Sequence, residues 1–333
     1  MSQFFLRRLI VIAGFMVFGG FVLQASAVHA QSPDYPKRPI TLVVGFAAGG
    51  SNDIIARAIS QPLSQLLGVP VVVETRLGAA AVVASNHVAR SAPDGHTLLV
   101  TSASPLVIAP HTNANIPYDA LQDFAPVTVL GITPETLVVH PNIPAKNLTE
   151  LVELAKKRDL TLGSAGAGGL PHLAIELLKR AAPGTRILHV PYNGATPAVT
   201  DALGGHVHGV IMDLPAVYGH VKANRLRGIA MASERRSEFL PDLPTSGEQR
   251  VQDFVAVNWI GMLAPAKTPT AVIDKLHEAV MTVIRTDAVK NALAQAAVEV
   301  SLSPSPAEFR KFITGEHLKW GKVVKDAGVS SVN

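Results

Sequence analysis

The sequence predicts an α/β protein of two modest domains, each a mainly parallel sheet flanked by helices. Three observations predict it. Strand-like and helix-like segments alternate from Ile40 onward, and alternation of this kind gives parallel sheets. At 333 residues the chain is long enough for two cores. One local pattern also occurs twice: a strand, a glycine-rich turn, then a helix start.

The first thirty residues read as an address label outside the fold. Arg7 and Arg8 precede an apolar run from Leu9 to Leu23, broken only by glycines, and Gln24 to Ala30 supplies small residues suited to cleavage after Ala30. The run is shorter than the ~20 apolar residues of a spanning helix. Export with cleavage is the expectation, and it puts the protein in the periplasm.

The elements follow in order. Ile40–Val44 is the first strand, and Asn52–Leu67 the first helix, where Pro62 predicts a kink or restart. Strand Val69–Glu74, helix Ala80–Ser91 and strand Thr97–Thr101 come next, then two short strands, Val127–Leu130 and Thr136–His140. Helix Leu148–Arg158 opens on the cap candidate Asn147. Strands Thr161–Gly163, Ile187–Val190, Val207–Met212 and Arg227–Met231 alternate with helices Pro171–Ala181, Thr196–Leu203 and Ala216–Ala223. A tryptophan-bearing strand, Val255–Leu263, precedes helices Thr270–Thr286, Asp287–Ala296 and Pro306–Ala327; Pro269 and Ser305-Pro306 mark two of their starts. If the Val255–Leu263 strand returns to the first sheet, the first domain is discontinuous and the chain crosses between domains twice. Two crossings make a hinge.

Composition narrows the function. Without Arg7 and Arg8, 27 basic residues face 25 acidic ones, too even a balance to imply nucleic acid. Attraction for an anion must therefore be local, from loops and helix ends. The chain has no cysteine, which excludes disulfides, thiolate catalysis and cysteine-held metals.

The two glycine turns are the candidate site. The first runs Gly45-Phe46-Ala47-Ala48-Gly49-Gly50-Ser51-Asn52-Asp53, and the second Gly163-Ser164-Ala165-Gly166-Ala167-Gly168-Gly169 into Leu170-Pro171-His172. A helix start offers unpaired N–H groups and the positive end of a dipole, so it attracts anions. Two such ends across a cleft would grip a small acid; a wall of acidic side chains would argue against that. Asp53 reads as a cap rather than a ligand group. Neither turn fits a dinucleotide fingerprint, because Pro171 stands where the spacing from Gly166 needs glycine, and neither is a P-loop. A third turn, Pro191-Tyr192-Asn193-Gly194, has the same shape. Tyr192 either contacts a ligand or packs, and His172 either contacts a ligand or serves the surface.

Catalytic and metal motifs are weak. No G-x-S-x-G elbow occurs, and His277-Glu278 has Met281 where a zincin needs its second histidine. His206 and His208 share a strand face, without evident third and fourth ligands. No catalytic residue, metal or cofactor is assigned.

Ordered segments along the whole chain after the leader resemble one family. They include Tyr35-Pro36-Lys37-Arg38-Pro39-Ile40, Phe46 to Asp53, Ala92-Pro93-Asp94-Gly95, Val138-Val139-His140-Pro141, Pro171-His172-Leu173-Ala174, His189-Val190-Pro191-Tyr192 and Leu263-Ala264-Pro265-Ala266. Together the chain resembles the Bug-type, TctC-like substrate-binding proteins of tripartite tricarboxylate transport. The resemblance implies a two-lobed periplasmic binding protein, type II-like, with lobe 1 formed by residues 31–131 and 256–333 and lobe 2 by 132–255. It implies a monomer without enzyme activity that captures a small carboxylate, whether di- or tricarboxylate, acidic amino acid or aromatic acid, for a membrane permease. A sensor protein is the alternative partner, and a periplasmic enzyme acting on a carboxylic acid the remoter alternative.

Carried over by position, the resemblance puts Phe46, Ala47, Gly50, Ser51, Ser102, Ser104, Ser164, Gly166, His172, Tyr192, Asn193 and Asp213 near the ligand. Two departures bear on ligand identity. Leu77 replaces the family's usual proline, and Ala80 and Ala81 its glycines; His206 and His208 also stand at unusual positions.

Overall fold

The computed structural model describes residues 35–327. The leader expected at 1–30 lies outside them, as do the last six residues.

The first strand, β1 (Ile40–Val44), is a β-branched run buried on nearly every position. Gly50, in extended backbone, releases the chain into α1 (Ser51–Leu67), whose Ile55, Ala56, Ile59 and Leu63 form one buried stripe. Gly68 ends α1 at φ 73, its N–H donating to the Ser64 carbonyl. The helix runs through Pro62 without the predicted restart.

Next come β2 (Val71–Thr75), a left-handed turn at Ala79–Ala81, α2 (Val82–Ala89) and β3 (Thr97–Ser102). A wide helical turn at Ser104–Ile108 runs into α3 (Ala109–Thr112), where the sequence pattern predicts no helix.

The two short strands expected at 127–130 and 136–140 are one strand, β4 (Phe124–Val139). Both prolines inside it fall where a ladder N–H is dispensable. Pro126 stands at a register shift, and Pro134 where β4 changes partners.

The second half holds α4 (Leu148–Lys157), β5 (Leu160–Ser164), α5 (Leu170–Ala181), β6 (Ile187–Pro191), α6 (Ala195–Leu203), β7 (Gly209–Asp213), α7 (Leu214–Lys222) and β8 (Arg227–Ala232). The cap expected at Asn147 is present: its side chain accepts the Glu150 N–H at 2.8 Å. The chain returns through β9 (Val257–Pro265), then α8 (Thr270–Ile284), α9 (Asp287–Gln295), β10 (Glu299–Val300) and α10 (Pro306–Ala327).

The strand order is β2-β1-β3-β9-β4-β7-β5-β6, with β8 and β10 also paired to β4. The outer strands of each half, β2-β1-β3 and β7-β5-β6, are parallel, as alternation predicts. The central pairings of β4 and β9 are antiparallel, so the sheet is mixed. Residues 124–134 of β4 pair with β9, and Glu135–Val139 with β7 and β8. One strand thus serves both halves of the sheet, and β9, late in the chain, pairs with β3 as well as with β4.

Candidate ligand-binding site

The topology brings the N-termini of α1, α5 and α6 to one place. Gly50, Gly169 and Ala195, at those three helix starts, line a single small pocket of about 30 Å³. A larger cavity of about 550 Å³ shares its Phe46, Ala80 and Ala165 wall. The glycine turns therefore face each other. An added Cβ on Gly194 would sit 2.9 Å from that of Ala47, and one on Gly168 3.0 Å from Thr112 Oγ1.

Three hydrogen bonds close the gap between the halves. The Leu170 N–H donates to Ser104 Oγ at 3.0 Å, Thr112 Oγ1 to the Gly168 carbonyl at 3.2 Å, and Thr196 Oγ1 to the Ala48 carbonyl at 2.8 Å.

Several turn amides are already occupied. The Gly49 N–H donates to Asp53 Oδ2, and Gly166 N–H to Ser164 Oγ. The Gly168 N–H donates to His172 Nδ1 at 3.0 Å. His172 in turn stacks on His189, centroids 3.9 Å apart, and His189 Nε2 lies 2.6 Å from Ser164 Oγ. Burial holds both imidazoles below their ordinary range; for His189, with the His172 and Lys179 charges added, the value falls to about 4. Two neutral, stacked rings thus brace the second turn from behind.

The expected residues divide accordingly. Phe46, Gly50, Ser51, Ser102, Ser104 and Asp213 line the small pocket, and Phe46, Gly166, Tyr192 and Asn193 the large cavity. Ala47, Ser164 and His172 line neither. Tyr192 is anchored, its hydroxyl donating to Asp201 Oδ2 at 2.7 Å.

Sequence reading missed Glu135 and Asn258 in the small pocket and Thr112, Asn113 and Asn115 in the large cavity. For Glu135 one signal existed: a lone carboxylate between two apolar strand runs. The sheet register places it opposite Asp213, with Thr133 two residues back on the same face and paired to Asn258. Asp213 is nine-tenths buried and Glu135 completely so. Burial raises the Asp213 carboxyl, while the facing Ser51 N–H and hydroxyl at the α1 start pull it back. Burial, and after it the Asp213 charge, push Glu135 well above the usual carboxylate range.

Neither cavity is lined by a lysine or an arginine. Any negative group of a ligand must therefore meet backbone N–H groups, hydroxyls and helix ends. At the same time the α1 start already faces an acid from within, Asp213. That corrects the simple picture of two empty anion cradles.

Two α/β halves that share β4, with a cavity between opposed helix starts, define a two-lobed binding protein. Comparison with known proteins narrows the class. The chain belongs to the Tripartite tricarboxylate transporter family receptor group, whose pattern matches residues 55–329. Protein BugT of Bordetella pertussis is 37% identical over 317 residues, covering 94% of this chain and 96% of that one. The solved periplasmic binding protein BugD superposes with a TM-score of 0.84 at 32% identity, over 89% of this chain and 100% of that one. A protein of R. palustris solved with adipate, Rpa4515, superposes at 0.86 with 31% identity, over 90% and 100%. Among the described residues no helix is long and apolar enough to cross a membrane.

Proposed function

We propose that this protein is a periplasmic receptor that captures a small carboxylate between its lobes and delivers it to a membrane permease. One observation carries the reading: the cavity of about 550 Å³ between the Phe46 turn and the Ala165–Gly168 turn. A ligand there touches both halves, so its contacts differ between open and closed forms, and closure follows from binding. The adipate bound to a relative of the same fold supports a carboxylate as ligand.

On this reading residues 1–30 are a cleaved export signal. Lobe 1 is 31–131 with 256–333, lobe 2 is 132–255, and the receptor works as a monomer. Phe46, Gly50, Ser51, Ser102, Ser104, Gly166, Tyr192, Asn193 and Asp213 contact the ligand, Ala47 packs behind the first turn against Gly194, and Ser164 and His172 hold the second turn in shape. Charge-assisted hydrogen bonds of roughly 1.5–3 kcal/mol each bring a small acid to micromolar affinity after the entropy of capture.

The test is a melting and calorimetric screen against small mono-, di- and tricarboxylates, with and without amino groups. A true ligand at ~100 times its Kd stabilises the fold by about 2.7 kcal/mol. If no acid in the panel shifts the melting temperature or gives binding heat, the receptor reading fails.

A further inference from the structure

The small pocket has a polarity that a plain acid does not explain. It is lined by Glu135, Asp213, Asn52 and Asn258 beside the three helix starts. Neither oxygen of Glu135 has a hydrogen-bond partner, nor has the Oδ1 atom of Asn52 or of Asn258. Asn52 is 4% exposed, Asn258 6% and Glu135 0%. The two Asn oxygens only accept hydrogen bonds, and the Glu135 oxygens do so when the carboxyl is ionised. Asp213 faces Ser51 at the α1 start, although the Ser51 hydroxyl makes no hydrogen bond of ordinary geometry; Glu135 is answered by nothing.

We propose that this pocket is a cation subsite that takes a protonated primary amine of the ligand. The captured solute is then a zwitterion, its ammonium against Glu135 and its carboxylate in the larger cavity. The inference rests on the receptor reading above and names the class of solute.

Three arguments support it. Glu135 and Asp213 are direct cross-strand partners on β4 and β7. Two ionised carboxylates so placed, with Cβ atoms about 4.5–5.5 Å apart, repel each other, so Glu135 resists ionisation, and a cation beside the pair lets both ionise. The number of donors also decides between occupants. One proton shared by the two carboxyls satisfies a single acceptor, whereas an ammonium brings three donors and a full charge to the orphaned oxygens. Size agrees as well: the pocket, about 30 Å³, exceeds the roughly 10–15 Å³ that one water-sized group needs, so an –NH3+ group fits. A metal ion is a poorer occupant, since among the described residues no three His, Cys, Asp or Glu side chains group to hold one.

The experiment is isothermal titration of the mature chain at pH 7 with matched pairs differing in one amine. Suitable pairs are 4-aminobutyrate and butyrate, L-glutamate and glutarate, and 4-(aminomethyl)benzoate and 4-methylbenzoate. Wherever a pair gives measurable heat, the amine-bearing member is expected to bind at least 10-fold tighter. Glu135→Gln is expected to reduce that ratio at least 10-fold and to leave the plain acid within about 3-fold of the wild type. Plain acids binding as tightly as their amines, or an unchanged ratio in Glu135→Gln, overturns the cation subsite and leaves the receptor intact. Silence from every member of every pair while another acid of the wider screen binds overturns the cation subsite alone; silence across the whole screen removes both readings. The wild-type ratios decide the matter even if the variant does not fold.

Discussion

Three alanines in succession, Ala79, Ala80 and Ala81, have φ of 47°, 50° and 72°. An alanine in the left-handed region costs roughly 1–2 kcal/mol relative to an unstrained one, and here the cost sits on the cavity wall, where strain is often retained. Ala80 touches both cavities. Replacing Ala80 by glycine relieves strain without opening a buried hole. The expected outcome is a gain of about 1 kcal/mol in a urea titration. Gly45 is the converse case. A Cβ there would lie 2.3 Å from that of Ala81, so Gly45→Ala is expected to lose at least about 2 kcal/mol in the same assay. At this scale the sequence was partly legible. The departure of Ala80 and Ala81 from the family's glycines marked the loop, but the packing of Ala81 against Gly45 and of Ala80 against Gly166 and Gly169 is encoded by no local pattern. Glu135 was hidden for a similar reason: its burial depends on a register set by β7, 78 residues further along at Asp213.

Most helices and strands were readable within a residue or two, because an amphipathic stripe or a β-branched run is a local property. The failures sit at prolines. Pro126 and Pro134 split one strand into two expected ones, since a ladder with a gap at its change of partner looks like two ladders. Pro105 and Pro110 disguised the helical turns after β3. The N-terminal turn of α5 gives a pH prediction. His189 in the fold titrates near 4 and His172 is also lowered, against about 6.5 in an unfolded chain. Between those values the unfolded chain binds protons that the folded one refuses, so stability is complete above pH 6.5 and falls as pH drops toward 4. Protonation of His172 Nδ1 also removes the acceptor of the Gly168 N–H. Melting temperatures measured from pH 7.5 to 4.5 are expected to fall steadily, and His189→Gln is expected to flatten the curve. A flat wild-type profile contradicts the assignment of neutral, stacked rings.

For the molecule as a whole, the alternation of elements made the parallel outer strands of the sheet legible. The mixed centre of the sheet was not disclosed, because antiparallel pairing of β9 between β3 and β4 is a choice among partners far apart in sequence. Charge was legible: a nearly balanced chain pointed to local donors, and no basic side chain lines either cavity. The polarity of the inner wall was not, since it comes from four segments that meet only in the folded state.

One consequence of β4 reaches beyond binding. A strand whose backbone hydrogen bonds are divided between the ladders of both halves cannot be lost from one without fraying the other. Its sixteen residues therefore couple the halves like a common keel. Calorimetry of the mature chain is expected to show one endotherm whose van't Hoff and calorimetric enthalpies agree. Two resolved peaks would mean that the keel can break in the middle, at Pro134.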